Sequence, residues 1–218
     1  MPILKFPFNG CEKITQHYSQ AGQELFVLGL LNGKNNGTYL EIGSSEPILG
    51  SNTYILESLF GWRGVGIEIQ ETWVESYQKE RTNPCIIGDA TNTDYLQLLH
   101  NAGIFETDID YVSLDCDPPV NTFNALQLLP FDTHRFSIIT FEHDSYQYGT
   151  EFKYRSRDFL ISKGYELLVS NVSAANYVLG WGDFEDWWVH PELIDPSIIS
   201  RFKNSDDTIK DWNSYLFF

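Results

Sequence analysis

The sequence predicts an α/β protein with a mostly parallel sheet flanked by helices. Short β-favouring runs alternate along the chain with segments whose apolar residues recur at helical spacing. This alternation is typical of parallel strands joined by right-handed crossovers. Two late β-favouring runs, Tyr165–Val169 and Asn176–Leu179, have no helix between them. We therefore expect an antiparallel strand near the C-terminus.

The first repeat of this pattern occupies Gly37–Gln70. Thr38–Ile42 is a short β-favouring run that ends in a glycine, and Gly64–Ile69 is a second apolar run. Between them, Ser51 is placed to cap the N-terminus of a helix whose apolar residues recur at helical spacing. Gly61 follows the last of these residues, and glycine is favoured just past a helix C-terminus. The segment is predicted to fold as a strand–helix–strand unit.

The rest of the chain continues the same alternation. Further helices are predicted at Gln20–Leu31, Thr72–Lys79, Asp94–Ala102, Asn121–Leu129 and Phe152–Lys163. Further strands are predicted at Cys85–Ile87, Asp110–Leu114 and Ser137–Phe141. Residues 1–36 are expected to form an N-terminal extension with a helix, and residues 37–195 the main domain. Residues 196–218 end in Tyr-Leu-Phe-Phe, so we expect this tail to pack on the domain or on a partner subunit.

Composition and charge narrow the classes of function. The 218 residues fit one domain with an extension, and a hydrophobic content of 42% is enough for a large core. The formal net charge is −16. Nucleic acids and anionic membrane surfaces would repel such a protein, so neither is expected as a partner.

The N-terminus and the cysteines indicate an intracellular, cytoplasmic setting. The first ten residues contain no apolar signal-peptide region, and the longest apolar run, Leu25–Leu31, is too short to span a bilayer. The chain has 3 cysteines, widely spaced, which predict neither a disulfide framework nor a zinc site.

An acidic residue lies at the end of each of the first five predicted strands. These residues are Glu41, Glu68, Asp89, Asp115 and Glu142. Parallel strands end at the same edge of a sheet, where ligands bind in such folds, so the carboxylates should converge there. Like charges that lie close together in a crevice raise the free energy of the folded protein unless a ligand binds to them. The pattern therefore predicts a binding site at this edge.

The loop after the first strand distinguishes between two kinds of nucleotide cofactor. A dinucleotide site needs G-x-G-x-x-G for close approach to the pyrophosphate, whereas this loop reads Gly-Ser-Ser-Glu-Pro from Gly43. A carboxylate such as Glu46 would repel a pyrophosphate. It suits a cofactor with a positive centre and an amine, as in S-adenosylmethionine (SAM). An ordinary strand-to-helix turn is the alternative interpretation.

A set of motifs in a fixed order gives the chain a family resemblance. They are SQAGQELFVL, GTYLEIGSSEP, SNTYILE, GWRGVGIEI, DYVSLDCDPP, PFDTHRFSIITFEHD, RDFLISKGYELL and EDWWVHPELI, and they cover most of residues 17–195. In this order they resemble class I SAM-dependent methyltransferases, and more specifically the FkbM-type family. The resemblance implies a Rossmann-like, mostly parallel seven-stranded sheet and makes residues 37–195 the SAM-binding domain.

The same resemblance implies the cofactor contacts. The matching positions are Glu41, Gly43, Ser44, Ser45, Glu68, Ile69, Asp89, Ala90 and Asp115. In the family pattern, the Glu41–Ser45 segment holds the methionine part, Glu68 binds the ribose, Asp89 takes the adenine amine, and Asp115 lies next to the methyl group. The chain departs from the pattern in having Glu46-Pro47 for the usual Asp-Gly, and Ile69-Gln70 after Glu68 where a proline is usual.

Two interpretations of the catalytic chemistry remain open. Methyl transfer is an in-line displacement that can need a base to deprotonate a hydroxyl. His143, between two carboxylates at the end of the fifth strand, is the candidate base, with Asp115 as the second catalytic candidate. Alternatively, Asp115, Asp117, Glu142 and His143 could hold Mg²⁺.

Two further groups of residues could contact the acceptor. Lys153, Arg155 and Arg157 are cations in an acidic chain and could bind a carboxylate or phosphate, or else form a solvated helix face. The aromatic run Trp181–Trp188 could stack on a sugar or ring, or else pack the end of the sheet.

The resulting functional hypothesis is a SAM-dependent methyltransferase that acts on an oxygen of a small molecule or sugar, as a monomer or a homo-oligomer. Three alternatives come from other classes. They are an NAD(P)-binding oxidoreductase on a similar fold, a catalytically inactive SAM-binding module, and an acidic scaffold protein.

Overall fold

The structure, a computed structural model, describes residues 3–174 and 182–218. Among these residues the strands are β1 (Thr38–Ile42), β2 (Arg63–Glu68), β3 (Cys85–Ile87), β4 (Asp108–Leu114), β5 (Arg135–Glu142), β6 (Glu166–Ser173), β7 (Glu185–Val189) and β8 (Lys210–Asp211). The α-helices are α1 (Gln23–Leu30), α2 (Tyr54–Phe60), α3 (Glu71–Glu80), α4 (Tyr95–Asn101), α5 (Pro119–Leu128), α6 (Ser145–Tyr148), α7 (Glu151–Ser162), α8 (Pro196–Phe202) and α9 (Trp212–Leu216). No helix in these ranges is both long and apolar enough to cross a bilayer.

The strands form one sheet in the order β3-β2-β1-β4-β5-β7-β6-β8. Strands β1 to β5 are mutually parallel, β7 is antiparallel to both β5 and β6, and β8 runs parallel to β6. The chain winds outward from β1 in one direction and from β4 in the other. The strand order therefore reverses between β1 and β4, which is where ligands bind in open α/β sheets.

The predicted α/β class, the parallel sheet and the late antiparallel strand are confirmed. The strand count of seven is wrong because the C-terminal tail adds β8, in which Lys210 pairs with Val172 of β6. The antiparallel strand is β7, within the aromatic run, while the predicted strand Asn176–Leu179 lies outside the described residues. The helix after β1 begins at Tyr54, and the hydroxyl of Ser51 accepts hydrogen bonds from the Thr53 and Tyr54 amides at 3.3 and 3.2 Å.

Each face of the sheet has its own apolar core. One core contains residues of α1, α2, α8 and the tail, and the other contains residues of α4, α5 and α7. Consecutive side chains of a strand point to opposite faces, so Trp187 packs in the first core and Trp188 in the second. This burial on both faces explains why β7 lacks the alternating polarity of a half-exposed strand.

The two chain ends lie together on the first core. The Lys5 amide donates a hydrogen bond to the Leu216 carbonyl at 2.8 Å, and the Phe218 amide donates one to the Ile3 carbonyl at 3.0 Å. Leu216 and Phe217 are buried there. The tail thus packs against its own chain, while the domain limits at residues 36 and 195 stay a prediction.

A buried arginine connects the elements that follow β1. The side chain of Arg81 is 1% exposed and forms an ion pair with Glu57 of α2, with 2.8 Å between Nε and Oε2. Its other nitrogens donate hydrogen bonds to the Pro47 carbonyl at 2.8 Å and to the Tyr39 hydroxyl at 3.1 Å. Arg81 therefore ties the loop after β1 to α2 and to the end of α3.

Replacing this cation should destabilise the fold strongly. In Arg81→Leu the Glu57 carboxylate loses its buried partner, and we expect a loss of about 3–5 kcal/mol of unfolding free energy. Arg63→Leu is the matched control because it breaks an Arg–Glu pair whose side chains are 50% and 44% exposed, which should cost at most about 1 kcal/mol. Urea denaturation measures both, and equal losses in the two variants would contradict this assignment.

Candidate functional site

A cavity of about 280 Å³ lies at the carboxyl ends of the strands next to the reversal of strand order. Ligand pockets in proteins start at about 300 Å³, so its size fits a small ligand that extends partly into solvent. It is lined by Gly43, Ser45, Ile67, Glu68, Ile69, Gln70, Gly88, Asp89, Ala90, Thr91, Asp115, Cys116, Asp117 and Asn121. Seven of the predicted cofactor contacts are in this lining: Gly43, Ser45, Glu68, Ile69, Asp89, Ala90 and Asp115.

The floor of the cavity depends on a glycine. Gly43 has φ of +83°, and a Cβ atom there would lie 1.7 Å from the Asp115 carbonyl oxygen. Only glycine allows this approach of the loop after β1 to the end of β4. The Gly43 and Ser44 amides both donate to the Ile67 carbonyl, at 3.0 and 3.2 Å, so the loop is also fixed to β2.

The Glu68 carboxylate joins two loops at the cavity wall. It accepts hydrogen bonds from the Ser45 amide at 3.0 Å and from the Gln70 amide at 2.8 Å, one on each oxygen. An ionised carboxylate has about four acceptor positions, so each oxygen keeps one more. Glu68 can thus hold the loops and accept from the hydroxyl groups of a ligand at the same time.

Asp89 presents a second acceptor on the next strand end. Its Oδ1 accepts from the Thr91 amide and hydroxyl at 2.8 and 2.7 Å, and these hydrogen bonds lower the pKa of Asp89. Its Oδ2 has no hydrogen-bond partner within residues 3–174 and 182–218. The side chain is exposed and ionised, so this oxygen is available to an amine.

Carboxyl groups crowd the other end of the cavity. Asp115 is half-buried and shares a hydrogen bond with Glu142, the adjacent residue at the end of β5. Burial raises the pKa of both groups, and the nearby Asp144 carboxylate acts on both in the same direction. Burial likewise raises the pKa of Asp144 to about 6. A cationic ligand would relieve this repulsion by stabilising the ionised forms.

The structure does not bring Glu41 to the cavity. Its side chain is buried on the face of the sheet that carries Tyr39, where it accepts hydrogen bonds from the Thr53 hydroxyl at 2.9 Å and the Tyr77 hydroxyl at 3.3 Å. Burial raises its pKa, against the effect of nearby Arg81. In this structure Glu41 links β1 to α2 and α3, and its predicted contact with the methionine part stays a prediction. Ser44 is also buried, with its hydroxyl bonded to the Glu41 carbonyl at 3.2 Å.

His143 is not placed to act as a general base. Its side chain is 0% exposed and turned inward, with Nε2 at 3.7 Å from Asp186 Oδ1. Its Nδ1 accepts from the Ser145 amide at 3.3 Å. Arg157 holds Asp186 in place with hydrogen bonds of 2.6 and 2.9 Å. A base must come within hydrogen-bond reach of the proton it removes, so the predicted role of His143 disagrees with this geometry.

The predicted Mg²⁺ site is not supported either. Within the described part of the chain, no three His, Cys, Asp or Glu side chains are arranged to hold a metal ion. The physical reason is the orientation of the four candidates. Asp115 and Glu142 hydrogen-bond to each other, and the His143 ring is buried beside Asp186.

The three cations predicted to contact an acceptor all have partners within the protein. Lys153 pairs with Asp183 at 2.5 Å, and Arg157 pairs with Asp186. Arg155 pairs with Glu151 at 3.1 Å on the exposed face of α7. In the aromatic run, Trp187 and Trp188 are buried in the two cores, whereas Trp181 lies outside the described residues.

Sequence reasoning missed several residues of the lining, among them Gln70, Thr91, Cys116 and Asn121. Each of the first three directly follows a predicted contact in the sequence, so extending every predicted contact by one residue would have found them. Asn121 lies in the first turn of α5 and gives no comparable signal in the sequence.

Comparison with known proteins identifies the fold. No family model and no curated protein matches the chain. Among solved structures, an O-methyltransferase from Bacillus cereus in complex with S-adenosylhomocysteine (SAH) aligns with a TM-score of 0.55 and 16% identity over 81% of this chain and 84% of that one. A candidate rRNA methylase from Clostridium thermocellum aligns with a TM-score of 0.53 and 16% identity over 81% of this chain and 97% of that one.

A third structure shows the same likeness. Fibrillarin from Aeropyrum pernix, solved with natively bound SAM, gives a TM-score of 0.52 and 16% identity over 78% of this chain and 76% of that one. The fold is thus that of SAM-dependent methyltransferases. At these identities the likeness concerns the fold alone, and the resemblance to the FkbM-type family stays a prediction.

Two buried carboxyl groups, those of Glu24 and Glu185, should make the protein less stable at higher pH. Burial raises the pKa of Glu24 to about 7 and that of Glu185, the β7 neighbour of Glu142, to about 8. In the unfolded chain both ionise near pH 4. Their contribution to stability is complete below about pH 4 and is lost as the pH rises through 7 to 8.

Thermal denaturation between pH 5 and 8 tests this expectation. The wild-type melting temperature should fall as the pH rises, and the fall should be smaller in Glu185→Gln, which keeps an acceptor oxygen but cannot ionise. Asp132→Asn is the control because that side chain is 96% exposed. A wild-type profile that rises with pH, or an equal slope in Glu185→Gln, would contradict the assignment.

Proposed function

We propose that this chain is a SAM-dependent methyltransferase that binds SAM in the cavity and methylates an oxygen of a small molecule or sugar. The observation that carries the proposal is the position of Glu68, Asp89 and Asp115 around one cavity, at the carboxyl ends of β2, β3 and β4. Each of these strands contributes an acceptor that matches a different part of the cofactor.

The cavity lining fits the cofactor chemically. Glu68 would accept from the ribose hydroxyls, Asp89 from the adenine amine, and Ile69 and Ala90 would cover the base. Gly43 leaves room at the methionine end. Once bound, SAM supplies an electrophilic methyl group on a positively charged sulfur, whose charge the carboxylates around Asp115 complement.

The same lining weighs against the NAD(P) alternative. Among the described residues that line the cavity there is no lysine or arginine, and Glu68, Asp89, Asp115 and Asp117 are all acidic. A pyrophosphate would meet negative charge here, and the loop after β1 offers one glycine instead of the dinucleotide motif. Carboxylates favour a cationic cofactor over a dianionic one.

Asp115 is the residue that can accept a proton at the site. With His143 turned inward, it is the predicted catalytic group that remains in the cavity lining. Burial brings the pKa of its carboxyl closer to neutral pH, which makes it a stronger base than a free aspartate. An acceptor hydroxyl bound next to it would donate a hydrogen bond to the carboxylate and lose its proton there as the methyl group is transferred.

The charge of the chain bears on the choice of acceptor. Some proteins with the same fold are named as rRNA methylases, so a nucleic acid is the competing acceptor class. A net charge of −16 and the exposed carboxylates of Asp89 and Asp117 in the cavity lining would repel a polyanion. A neutral small molecule or sugar avoids this repulsion.

Titration calorimetry with SAM and SAH tests the cofactor site through Asp89→Asn. Asparagine keeps the Oδ1 cap on Thr91 but replaces the free acceptor Oδ2 by a donor, so we expect at least tenfold weaker binding of both ligands. Asp94→Asn is the matched control. Asp94 caps α4 through Oδ1 in the same way, with 2.9 Å to the Gln97 amide, but lies outside the cavity lining.

The results separate the functional alternatives. Tight binding by the wild type and by Asp94→Asn, with loss in Asp89→Asn, supports the proposed site. Wild-type protein that folds but binds neither ligand contradicts the methyltransferase proposal, and binding of NADH instead would favour the oxidoreductase. An inactive module would bind SAM and never yield SAH with any acceptor in a panel of sugars and small hydroxyl compounds.

A further inference from the structure

A second cavity, of about 590 Å³, lies at the opposite end of the sheet from β3. It is formed where the N-terminal segment, the end of α8 and the chain around β8 meet. Its lining is Lys5, Phe6, Arg201, Phe202, Lys203, Asn204, Asp206, Thr208, Ile209, Lys210, Asp211, Ser214 and Tyr215. Neither the family resemblance nor the proposed methyl transfer gives this cavity a role.

The lining is cationic in a protein that is strongly acidic overall. Lys5, Arg201, Lys203 and Lys210 face two carboxylates, Asp206 and Asp211, whereas the whole chain has 14 Lys and Arg against 30 Asp and Glu. The lining of this cavity therefore carries a local excess of positive charge. Charges of one sign in a cleft attract small counter-ions.

Both acidic groups of the wall are occupied by local contacts. Asp206 Oδ1 accepts from Lys210 Nζ at 2.5 Å and from the Thr208 amide at 3.0 Å. Asp211 Oδ2 accepts from the Ser214 amide at 3.1 Å and its hydroxyl at 2.6 Å. These carboxylates shape the wall, and the contact with Lys210 offsets the charge of Asp206.

The remaining cations keep unused hydrogen-bond donors. Among the residues that the structure describes, Lys203 pairs with Glu166 alone, at 2.5 Å, and Lys5 Nζ donates to the Ser214 carbonyl at 2.6 Å, so two of the three ammonium donors of each lysine remain. Arg201 is exposed and has no hydrogen bond or ion pair with any residue of the described ranges. Its planar guanidinium is suited to bidentate binding of an oxyanion.

We propose that this cavity is a binding site for a small phosphate-bearing ligand, with Arg201 as its main contact and Lys5 and Lys203 beside it. The rings of Phe6 and Tyr215, 5.5 Å apart between centroids, form an apolar wall next to the cations. A phosphate attached to an apolar group matches this combination of donors and rings.

A small ligand fits the position better than a nucleic acid chain. Four strand steps separate β4 from β8, which at the usual spacing is about 19 Å. A polynucleotide that reached from the cationic wall to the first cavity would be repelled by the net charge of −16 of the chain. The site is independent of the proposed methyl transfer.

Calorimetric titration with inorganic pyrophosphate, on full-length protein without SAM, tests the proposal. Because Arg201 is exposed and unpaired in the structure, Arg201→Gln should fold normally, and we expect at least tenfold weaker binding. Arg201→Lys should retain part of the affinity. Lys79→Gln is the control because it removes the same charge from an exposed position on α3.

Saturable wild-type binding that is reduced in Arg201→Gln and unchanged in Lys79→Gln supports the site. No pyrophosphate binding by the wild type, or equal binding by Arg201→Gln, overturns it. Binding of a single-stranded oligonucleotide without binding of pyrophosphate also overturns it and would indicate a nucleic acid surface instead. None of these results depends on whether SAM binds.

Discussion

The candidate site depends on how closely the chain leaving β1 passes the end of β4. The Asp115 amide donates a hydrogen bond to the Ile42 carbonyl at 2.9 Å. Gly43, which follows Ile42, has a positive φ and passes close to the Asp115 carbonyl oxygen. This approach opens the crevice between the two halves of the sheet. The Glu68 carboxylate fixes the wall of this crevice because it accepts hydrogen bonds from the loops after both β1 and β2.

The same edge concentrates carboxyl groups that oppose folding. Glu41, Asp115, Glu142 and Glu185 are all at least half-buried near the ends of neighbouring strands, and burial raises the pKa of each. Hydrogen bonds from Thr53, Tyr77, Gln23 and Trp187 offset part of this cost. Natural proteins accept such destabilisation at functional sites, and a cationic cofactor would account for the carboxyl groups nearest the cavity.

The sequence predicted strands β1 to β5 and the acidic residues at their ends because both signals are local. A β-favouring run between helical segments locates a strand, and its end locates Glu68, Asp89 and Asp115 at one edge. Side-chain direction is not local information. Glu41 comes one residue before the end of β1 and points into the core face with Tyr39, and the His143 side chain is buried beside Asp186.

Long-range contacts were equally beyond prediction. The two-residue strand β8 exists only because the tail returns to β6, and no local pattern in Lys210–Asp211 indicates a strand. The cationic cavity is of the same kind, since Lys5 and Arg201 are far apart in the sequence and meet only in the fold.

The most direct test of the central claim is a crystal structure of the protein with SAH. We expect adenosine between the ends of β2 and β3, with the ribose hydroxyls on Glu68, the adenine amine on Asp89 and the sulfur toward Asp115. SAH bound anywhere else, or in this cavity in the opposite orientation, would contradict this expectation.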